Sequence, residues 1–264
     1  MNKNNLKNKL FKSTMKIVGN KGLANNSFGN SIKKLLVKNS KSNETIVNGY
    51  KMQLDEHDIM QISLFDYEPI ETDLVKSNVK KNDITIDVGA NIGYYTLLMA
   101  KIGAFVHSYV PEPNNFKLLS TNVHQNNFSK YVTLNNKAVS NFNGTSKLFL
   151  SQDTPGEHKL NYDRFKNNEF IEVPVIKLEL DRIDFAKIDA EGTELNVLKG
   201  MKVLPEKILI EFHAKQLQTS GAKLDDFFKF IQKFTVKEVT KNGLIEPDFD
   251  KLRQYVLGTN LFLY

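Results

Sequence analysis

The sequence predicts an α/β protein built on a doubly wound, mostly parallel sheet of seven strands that closes with a C-terminal antiparallel strand pair. From Ile84 onward, short apolar and β-branched runs alternate with segments whose apolar residues recur at helical spacing. Such alternation favours right-handed crossovers and a parallel sheet covered on both faces. The last two β-prone runs surround a glycine-containing turn instead, which is typical of antiparallel pairing.

The predicted elements follow one another along the chain. TIVNGYKMQL, with Asn48 and Gly49 at its centre, predicts a β-hairpin. The apolar spacing of residues 68–83 predicts a helix that leads into the core. ITIDVG (84–89) predicts the first buried strand, and IGYYTLLMAKIG (92–103) predicts the helix after it. Further strands are expected at 104–110, 131–136, 145–150, 173–180, 185–190, 207–213, 234–240 and 259–264, a short return at 137–141, and helices at 114–127, 193–204 and 223–234.

Composition excludes several classes of protein. No stretch approaches the roughly 20 apolar residues that a membrane-spanning helix needs. The N-terminus has no apolar run followed by a small-residue cleavage site, so we expect a cytoplasmic protein. The chain has no cysteine, which excludes disulfides, thiolate zinc sites and a cysteine nucleophile.

Positive charge is concentrated at the N-terminus. Residues 1–43 contain no Asp or Glu, and their lysines are Lys3, Lys7, Lys9, Lys12, Lys16, Lys21, Lys33, Lys34, Lys38 and Lys41. We predict that residues 1–44 form a basic extension that is partly disordered or helical, and that 45–264 form one domain with a β/helix lead-in over 45–83. Such an extension suits peripheral contact with anionic lipid, or with nucleic acid as a less favoured partner.

The loop DVGANIG joins the first strand to the first helix of the sheet. Asp87 lies at the carboxyl end of the strand, where ligands bind in open α/β sheets. Gly89 and Gly93 permit a tight turn with close backbone approach, and Ala90 and Asn91 lie between them. The loop is neither GxGxxG nor GxxxxGK[ST], so a dinucleotide or a P-loop nucleotide is not indicated. A DxGxNxG loop fits S-adenosylmethionine, with Asp87 available for its ammonium group.

Several ordered motifs resemble one family. DVGANIGYYTLLMAK, PEPNNFKLLSTNV, LELDRIDFAKIDAEGTELNVLKG and ILIEFH are similar, in order and spacing, to the FkbM family of S-adenosylmethionine-dependent methyltransferases. The similarity runs from about Gly49 to the C-terminus. It implies a Rossmann-like class I methyltransferase that O-methylates a hydroxyl of a sugar, a glycan precursor or a related small molecule. It also implies an adenine pocket near Asn136 and Ala138, while Tyr94, which opens the first helix, is a further candidate cofactor contact.

A second set of polar residues follows the later strands. KIDAEGTE ends a strand with Asp189 and Glu191, and IEFHAKQL ends the next one with Glu211 and His213. Methyl transfer requires an aligned acceptor oxygen and removal of its proton. Asp189 is our first candidate for that proton, His213 the second, and Glu211 is a further catalytic candidate.

Other roles for these residues remain open at the level of sequence. Glu191 and Glu194 suit the positive N-terminus of the following helix, and a structural role for His213 is as reasonable as a catalytic one. Asp189, Glu211 and His213 together have the ligand types that suit a divalent cation, but their spacing matches no known metal site, so a metal stays a less favoured alternative and no metal ligand is assigned.

One position departs from the family pattern. Relatives commonly read FEPxPxNF after the second strand, and aligning PEPNNF with it puts Val110 where the ribose-binding glutamate is expected. Glu112, two residues further on, is a candidate substitute acceptor. The alternative is a methyltransferase-fold binding protein whose cofactor binding is weakened or lost. A nucleic-acid methyltransferase is less favoured, because FAKIDAEG occupies the place of an NPPY or DPPY motif.

Overall fold

Residues 42–56, 58, 60–150, 160 and 169–264 are described by the structure, which is a computed structural model. They divide into two compact units, one ending at Tyr67 and the other formed by Glu68–Tyr264. The basic extension predicted for 1–44 therefore lies almost entirely outside the described residues.

The first unit contains the predicted hairpin. Strand β1 (Glu44–Val47) pairs antiparallel with β2 (Tyr50–Gln53). The two turn residues, Asn48 and Gly49, have φ angles of 49° and 79°. A type I′ turn needs a positive φ at both central positions, and its twist matches that of the flanking strands. The Asn-Gly pair favours this turn, so the predicted hairpin is confirmed.

The second unit is built on a large mixed sheet. Its strands in chain order are β3 (Ile84–Val88), β4 (Phe105–Tyr109), β5 (Val132–Asn135), β6 (Ala138–Val139), β7 (Gly144–Phe149), β8 (Phe170–Ile176), β9 (Phe185–Ile188), β10 (Lys207–Phe212), β11 (Val236–Thr240), β12 (Gly243–Ile245) and β13 (Thr259–Leu263). The large sheet has the order β12-β11-β13-β10-β9-β3-β4-β5. The strands from β10 to β5 run parallel, and β13, β11 and β12 are antiparallel to their neighbours.

The predicted fold class is confirmed, with one additional strand. The terminal antiparallel pair is β11 and β13, and β13 lies between β10 and β11. The eighth strand is β12, a three-residue piece that forms a hairpin with β11. It is too short to produce a recognisable pattern in the sequence.

Helices cover the sheet. They are α1 (Pro69–Asn78), α2 (Tyr94–Ile102), α3 (Pro113–Gln125), α4 (Glu194–Lys199), α5 (Ala214–Thr219), α6 (Leu224–Ile231) and α7 (Phe249–Leu252). The five predicted helices are present, but α4 is half as long as expected, and the short α5 and α7 were missed. Among the described residues, no helix is long and apolar enough to cross a membrane.

The end of α4 has a steric cause. A Cβ atom on Gly200 would lie 2.0 Å from the carbonyl oxygen of Ser140, so only glycine allows these two backbones to approach so closely. Met201, the next residue, forms a bridge with Leu178 and leaves the helix. Tertiary contact thus overrides the helical spacing of residues 193–204.

Helix α6 shows how the core is built. Its buried residues Leu224, Phe227, Phe228 and Ile231 recur at helical spacing on one face. The rings of Phe227 and Phe228 pack on Phe212 of β10, each with ring centres 5.4 Å apart. Such burial of large apolar side chains contributes roughly 1.5 to 3 kcal/mol each.

The strands between β5 and β9 form a separate small sheet. Its order is β6-β8-β7, and its buried core contains Leu148, Val173 and Val175. This sheet does not extend the large one, so the doubly wound pattern resumes only at β9. The carboxyl ends of β4, β3, β9 and β10 meet at one edge of the large sheet, and Val110, Asp87, Asp189 and Glu211 lie at or just before that edge.

Candidate active site

The glycine loop after β3 is built from left-handed residues. Gly89, Asn91 and Gly93 have φ angles of 82°, 49° and 99°. The backbone N–H groups of Gly89 and Ala90 both donate to the carbonyl oxygen of Tyr109, at 3.0 and 3.1 Å. The loop therefore folds over the end of β4, which is the edge where the cofactor was expected.

Gly89 also brings the loop against β9. A Cβ atom on Gly89 would lie 1.7 Å from the carbonyl oxygen of Asp189. The backbone N–H of Asp189 in turn donates to the carbonyl of Val88 at 2.9 Å. Gly89 is a cofactor-binding candidate and Asp189 is a catalytic candidate 100 residues later in the chain. The backbones of the two residues are thus in direct contact.

Asp87 is buried beneath this loop. Its Oδ2 accepts a hydrogen bond from Thr96 Oγ1 at 2.6 Å, and Thr96 Oγ1 lies 2.7 Å from Ser108 Oγ. Burial raises the pKa of the Asp87 carboxyl to about 6, against the opposing effect of the Thr96 hydrogen bond. A cation placed above it would be favoured, because it would offset the cost of burying the carboxylate.

Tyr94 and Tyr95 are both buried at the start of α2, and their rings meet edge to face. The Tyr94 hydroxyl lies 2.9 Å from Thr72 Oγ1, and the Tyr95 hydroxyl donates to Glu68 Oε2 at 2.5 Å. Both hydroxyls therefore connect α2 to the first turn of α1. The cofactor contact predicted for Tyr94 remains a prediction.

The segment after β4 has an apolar position and a capping carboxylate. Val110 is buried, at 3% exposure. Glu112 caps α3: its Oε2 accepts from the backbone N–H of Asn115 at 2.6 Å, and its Oε1 accepts from the Asn114 amide at 3.0 Å. Helix capping explains Glu112 without a cofactor, and its role as substitute ribose acceptor remains a prediction.

Asn136 supports the same segment from the next loop. Its amide donates to the carbonyl oxygens of Val110 and Pro111, at 2.8 and 3.0 Å. Ala138 lies in β6 and is buried in the core of the small sheet. The observed contacts of Asn136 are those of a residue that holds this segment, and those of Ala138 are those of a core residue. The adenine pocket expected near both remains a prediction.

Lys187 is a site residue that sequence reasoning missed. It lies in β9, is 2% exposed, and its Nζ is 3.3 Å from Asp189 Oδ2 and 5.5 Å from the centre of the Tyr95 ring. Burial by itself lowers the pKa of its ammonium group, but the carboxylates of Asp189, Glu68 and Glu211 outweigh burial and raise that pKa. A lysine inside the otherwise apolar run FAKI was the available signal.

Glu211 faces this arrangement from β10. Repulsion from Asp189, followed by burial, raises the pKa of its carboxyl well above the ordinary value. Its Oε2 is buried without a hydrogen-bond partner among the described residues. His213 occupies the N-cap position of α5 without a side-chain capping hydrogen bond, and a Cβ on Gly258 would lie 3.1 Å from Glu211 Oε1 and 3.6 Å from His213 Cδ2. Asp189, Glu211 and His213 therefore come together at neighbouring strand ends.

Glu194 and Glu191 hold the turn after β9. The Oε1 atom of Glu194 accepts from the backbone N–H groups of Ala190 and Gly192, each at 3.0 Å. Burial raises the pKa of the Glu194 carboxyl to about 7. Glu191, at a φ of 52°, accepts from the Gln216 amide at 3.0 Å. Both residues thus make the structural contacts that the sequence left open as one possible role for them.

Two further questions concern metal binding and the remaining histidines. Within the described ranges, no three His, Asp or Glu side chains are grouped as a metal site, so Asp189, Glu211 and His213 do not form a ready cation site. His107 lies in β4, where burial lowers its pKa, and exposed His124 lies in α3 with its Nδ1 2.6 Å from the Ser120 carbonyl. His57 and His158 lie outside the described residues.

The strand order and the loop define the class of protein. The glycine loop follows β3, a central parallel strand, and the antiparallel strand β13 lies between β10 and β11. This arrangement is that of a Rossmann-like methyltransferase. Residues 87–258 match the model of the methyltransferase FkbM domain. The chain belongs to the FkbM family and is an S-adenosylmethionine-dependent methyltransferase.

Individual relatives are more distant. Methyltransferase sdnD of Sordaria araneosa is 27% identical over 176 residues, which cover 52% of this chain and 68% of that protein. Among solved structures, the methyltransferase SMU.1697c of Streptococcus mutans with bound SAH is 14% identical, with a TM-score of 0.42 over 75% of this chain and 98% of that one. An O-methyltransferase from Thermotoga maritima is 13% identical, with a TM-score of 0.41 over 75% and 65%. At these TM-scores the two structures do not bear on the site.

Proposed function

We propose that this chain transfers a methyl group from S-adenosylmethionine to a hydroxyl of a sugar, a glycan precursor or a related small molecule. The observation that carries the proposal is the position of Asp189. Its backbone contacts the glycine loop at Gly89, and its carboxylate lies beside the ammonium of Lys187. The FkbM family supplies the expectation of an oxygen acceptor. The cytoplasmic location expected from the sequence stays a prediction.

The residues at the sheet edge have different roles in the proposed reaction. S-adenosylmethionine, when bound, would supply a methyl group on a sulfonium sulfur, and that sulfur is the leaving group. The loop from Gly89 to Gly93 would hold the amino-acid end, and Asp87 would accept from its ammonium group. Asp189 is placed to accept the proton that the acceptor hydroxyl loses on methylation. Lys187 orients the Asp189 carboxylate, and His213 is the second candidate for the proton.

We expect Asp189→Asn to lower kcat by at least about a hundredfold, because an amide cannot accept the hydroxyl proton. The measurement is S-adenosylhomocysteine formed with a panel of monosaccharides and glycosides as acceptors. Affinity for S-adenosylhomocysteine should stay within a factor of about three, since Asp189 acts on the acceptor side.

The matched control is Asp250→Asn, which removes a carboxylate that is 96% exposed. It should leave kcat unchanged. Equal turnover by Asp189→Asn and the unchanged protein would refute the assignment of Asp189 and direct attention to His213.

A second candidate function is a methyltransferase-fold binding protein with weakened or lost cofactor binding. The observation that favours it is Val110, a buried apolar residue at the position of the expected ribose-binding carboxylate. Calorimetric titration with S-adenosylhomocysteine separates the two functions. Measured binding would support the methyltransferase. Absence of heat at millimolar ligand would mean that the protein keeps the methyltransferase fold without binding the cofactor.

We expect Val110→Glu to tighten S-adenosylhomocysteine by roughly ten- to a hundredfold, because the new carboxylate accepts hydrogen bonds from the ribose hydroxyls. Val110→Gln is the uncharged control and should gain less. Glu112→Ala should lower the free energy of unfolding by about 1 kcal/mol through loss of the cap and leave affinity unchanged. A large loss of affinity in Glu112→Ala would instead identify Glu112 as the substitute ribose acceptor.

A further inference from the structure

The ends of β10 and β13 lie at the same edge of the large sheet as the candidate active site, but at a distance from the glycine loop. In the large sheet β10 is two strands away from β3, which corresponds to about 9 to 10 Å at the usual strand spacing. Strand β13 lies one strand beyond β10. A cofactor bound over β3 and β4 therefore leaves the ends of β10 and β13 to the acceptor.

Two buried oxygens at those strand ends have no hydrogen-bond partner among the described residues. They are Oε2 of Glu211 and Oδ1 of Asn260, and the two residues are direct cross-strand partners. Cross-strand partners carry their side chains on the same face, about 5 Å apart. We call Glu211, Asn260 and the adjacent Gly258 the β10–β13 corner.

The orientation of the Asn260 amide follows from its neighbour. Its Nδ2 donates to Glu71 Oε1 at 3.1 Å, and a carboxylate oxygen accepts only from the nitrogen side of an amide. The oxygen must then face away from Glu71. With Glu211 ionised, both open positions in the corner are acceptors, so a ligand there has to donate hydrogen bonds.

A third unpartnered oxygen belongs to the same group. Glu194 is 1% exposed, and its Oε2 is buried with no partner in the described part of the chain. Its charge acts on Glu211 along with those of Asp189 and Glu191. Buried oxygens without partners are costly in a folded protein, and this one adds to the demand for a donor.

Charge around the corner is strongly unbalanced. Lys187 is a cation that acts on Glu211, and its ammonium is already shared by several carboxylates. These carboxylates are Glu68, Asp87, Asp189 and Glu211. A buried excess of negative charge favours a cationic donor over a neutral one.

Gly258 keeps the corner free of a side chain. It begins the approach to β13, and even the single carbon of an alanine there would lie 3.1 Å from Glu211 Oε1, which is a tight contact. A side chain at this position would therefore crowd the carboxylate. Glu211 and Gly258 lie within the matched stretch 87–258, whereas Asn260 and Glu71 lie outside it, so the family match covers only part of this corner.

We propose that the β10–β13 corner binds an ammonium group of the acceptor, so that the methylated substrate is an amine-bearing alcohol such as an amino sugar. This proposal rests on the proposed function and names the substrate class of the same site. The ammonium donates to Glu211 and Asn260, while a hydroxyl of the same molecule reaches Asp189 on the neighbouring strand. A neutral sugar would fill the donor requirement, but only a cation favours the ionised form of Glu211, whose pKa its neighbours raise.

The test uses 6-amino-6-deoxy-D-glucose, its N-acetyl derivative and D-glucose as calorimetric probes at neutral pH. A primary alkyl amine is protonated there, and acetylation removes its charge. The unchanged protein should bind the amine roughly ten- to a hundredfold more tightly than either neutral sugar, as expected for a hydrogen bond between charged groups. Titrations are made with and without S-adenosylhomocysteine.

Three variants assign the effect. Glu211→Gln should remove the preference for the amine, and Gly258→Ala should weaken amine binding by crowding the Glu211 carboxylate. Glu206→Gln is the matched control, because Glu206 is an exposed carboxylate just before the opposite end of β10. It should keep the full preference.

Equal affinity for the three sugars would overturn the proposal, as would absence of binding by all of them. Equal losses in Glu206→Gln and Glu211→Gln would also overturn it. Failure of the proposed function has a different signature: S-adenosylhomocysteine does not bind or no methyl group is transferred, while the Glu211-dependent preference for the amine persists.

Discussion

Gly89→Ala is expected to lower the free energy of unfolding by about 2 to 5 kcal/mol and to abolish S-adenosylhomocysteine binding. A left-handed backbone costs a non-glycine residue roughly 1 to 2 kcal/mol. Overpacking against a rigid neighbour adds about 1 to 3 kcal/mol. The neighbour here is backbone, since the new Cβ would lie 1.7 Å from the Asp189 carbonyl oxygen. The strand ends would have to separate, and the cofactor loop would separate with them.

Gly221→Ala is the control for the backbone term alone. Gly221 has a φ of 85°, close to the 82° of Gly89, but nothing lies within 4 Å of its ideal Cβ. Thermal and denaturant unfolding should show a loss of about 1 to 2 kcal/mol in that variant. Similar losses in the two variants, with ligand binding intact, would mean that the contact between Gly89 and Asp189 is unimportant.

Lys187→Met is expected to lower the free energy of unfolding by roughly 3 to 5 kcal/mol near neutral pH. Methionine retains most of the side-chain volume but removes the charge that compensates Asp189, Glu68 and Glu211. Removing one partner of a buried charge pair costs this much because the other charge stays buried and uncompensated.

The pH dependence distinguishes this charge effect from lost packing. Burial raises the pKa of Glu68 and of Asp87, and Lys187 opposes both shifts. Without Lys187 the folded-state pKa values rise further above the unfolded ones. Stability associated with a raised carboxyl pKa is fully present below the unfolded value and is lost as pH rises through the folded value. The loss in Lys187→Met should therefore grow between about pH 4 and pH 7.

The control for packing is Leu209→Ala. Leu209 is buried in β10 directly beside Lys187, so its truncation removes contacts at the same level of the sheet without changing charge. Its cost should be about 2 to 5 kcal/mol and independent of pH. A Lys187→Met loss that is equally flat with pH would exclude a role for Lys187 as counter-charge.

Most of the fold could be predicted because the relevant signals are local. The alternation of apolar runs identified β3, α2 and β4, and Asn48-Gly49 identified the hairpin. The second cluster was found by a general rule, since parallel strands end at a common edge and polar residues follow β9 and β10. Short elements such as α5 and β12 were missed because three to six residues hold too little periodic pattern.

The parts of the site that could not be predicted depend on distant residues. Glu71 and Asn260 are 189 positions apart and are joined by a hydrogen bond between α1 and β13. Lys187 is near Asp189 in the sequence, but its other carboxylates, Glu68, Glu211 and Asp87, lie before α1, on β10 and on β3, far from it in the chain. Glu112 looked like a free carboxylate near the ribose, whereas in the structure both of its oxygens are engaged in capping α3.

Residue order therefore determined the sheet, the glycine loop and the family, because backbone conformation follows from neighbouring residues and from period. The tertiary structure alone decided which charges face one another. Burial and charge pairing are set by side chains that converge from separate strands and helices, and no local pattern encodes that convergence. Lys187 among its carboxylates, and the β10–β13 corner left without a donor, are consequences of packing.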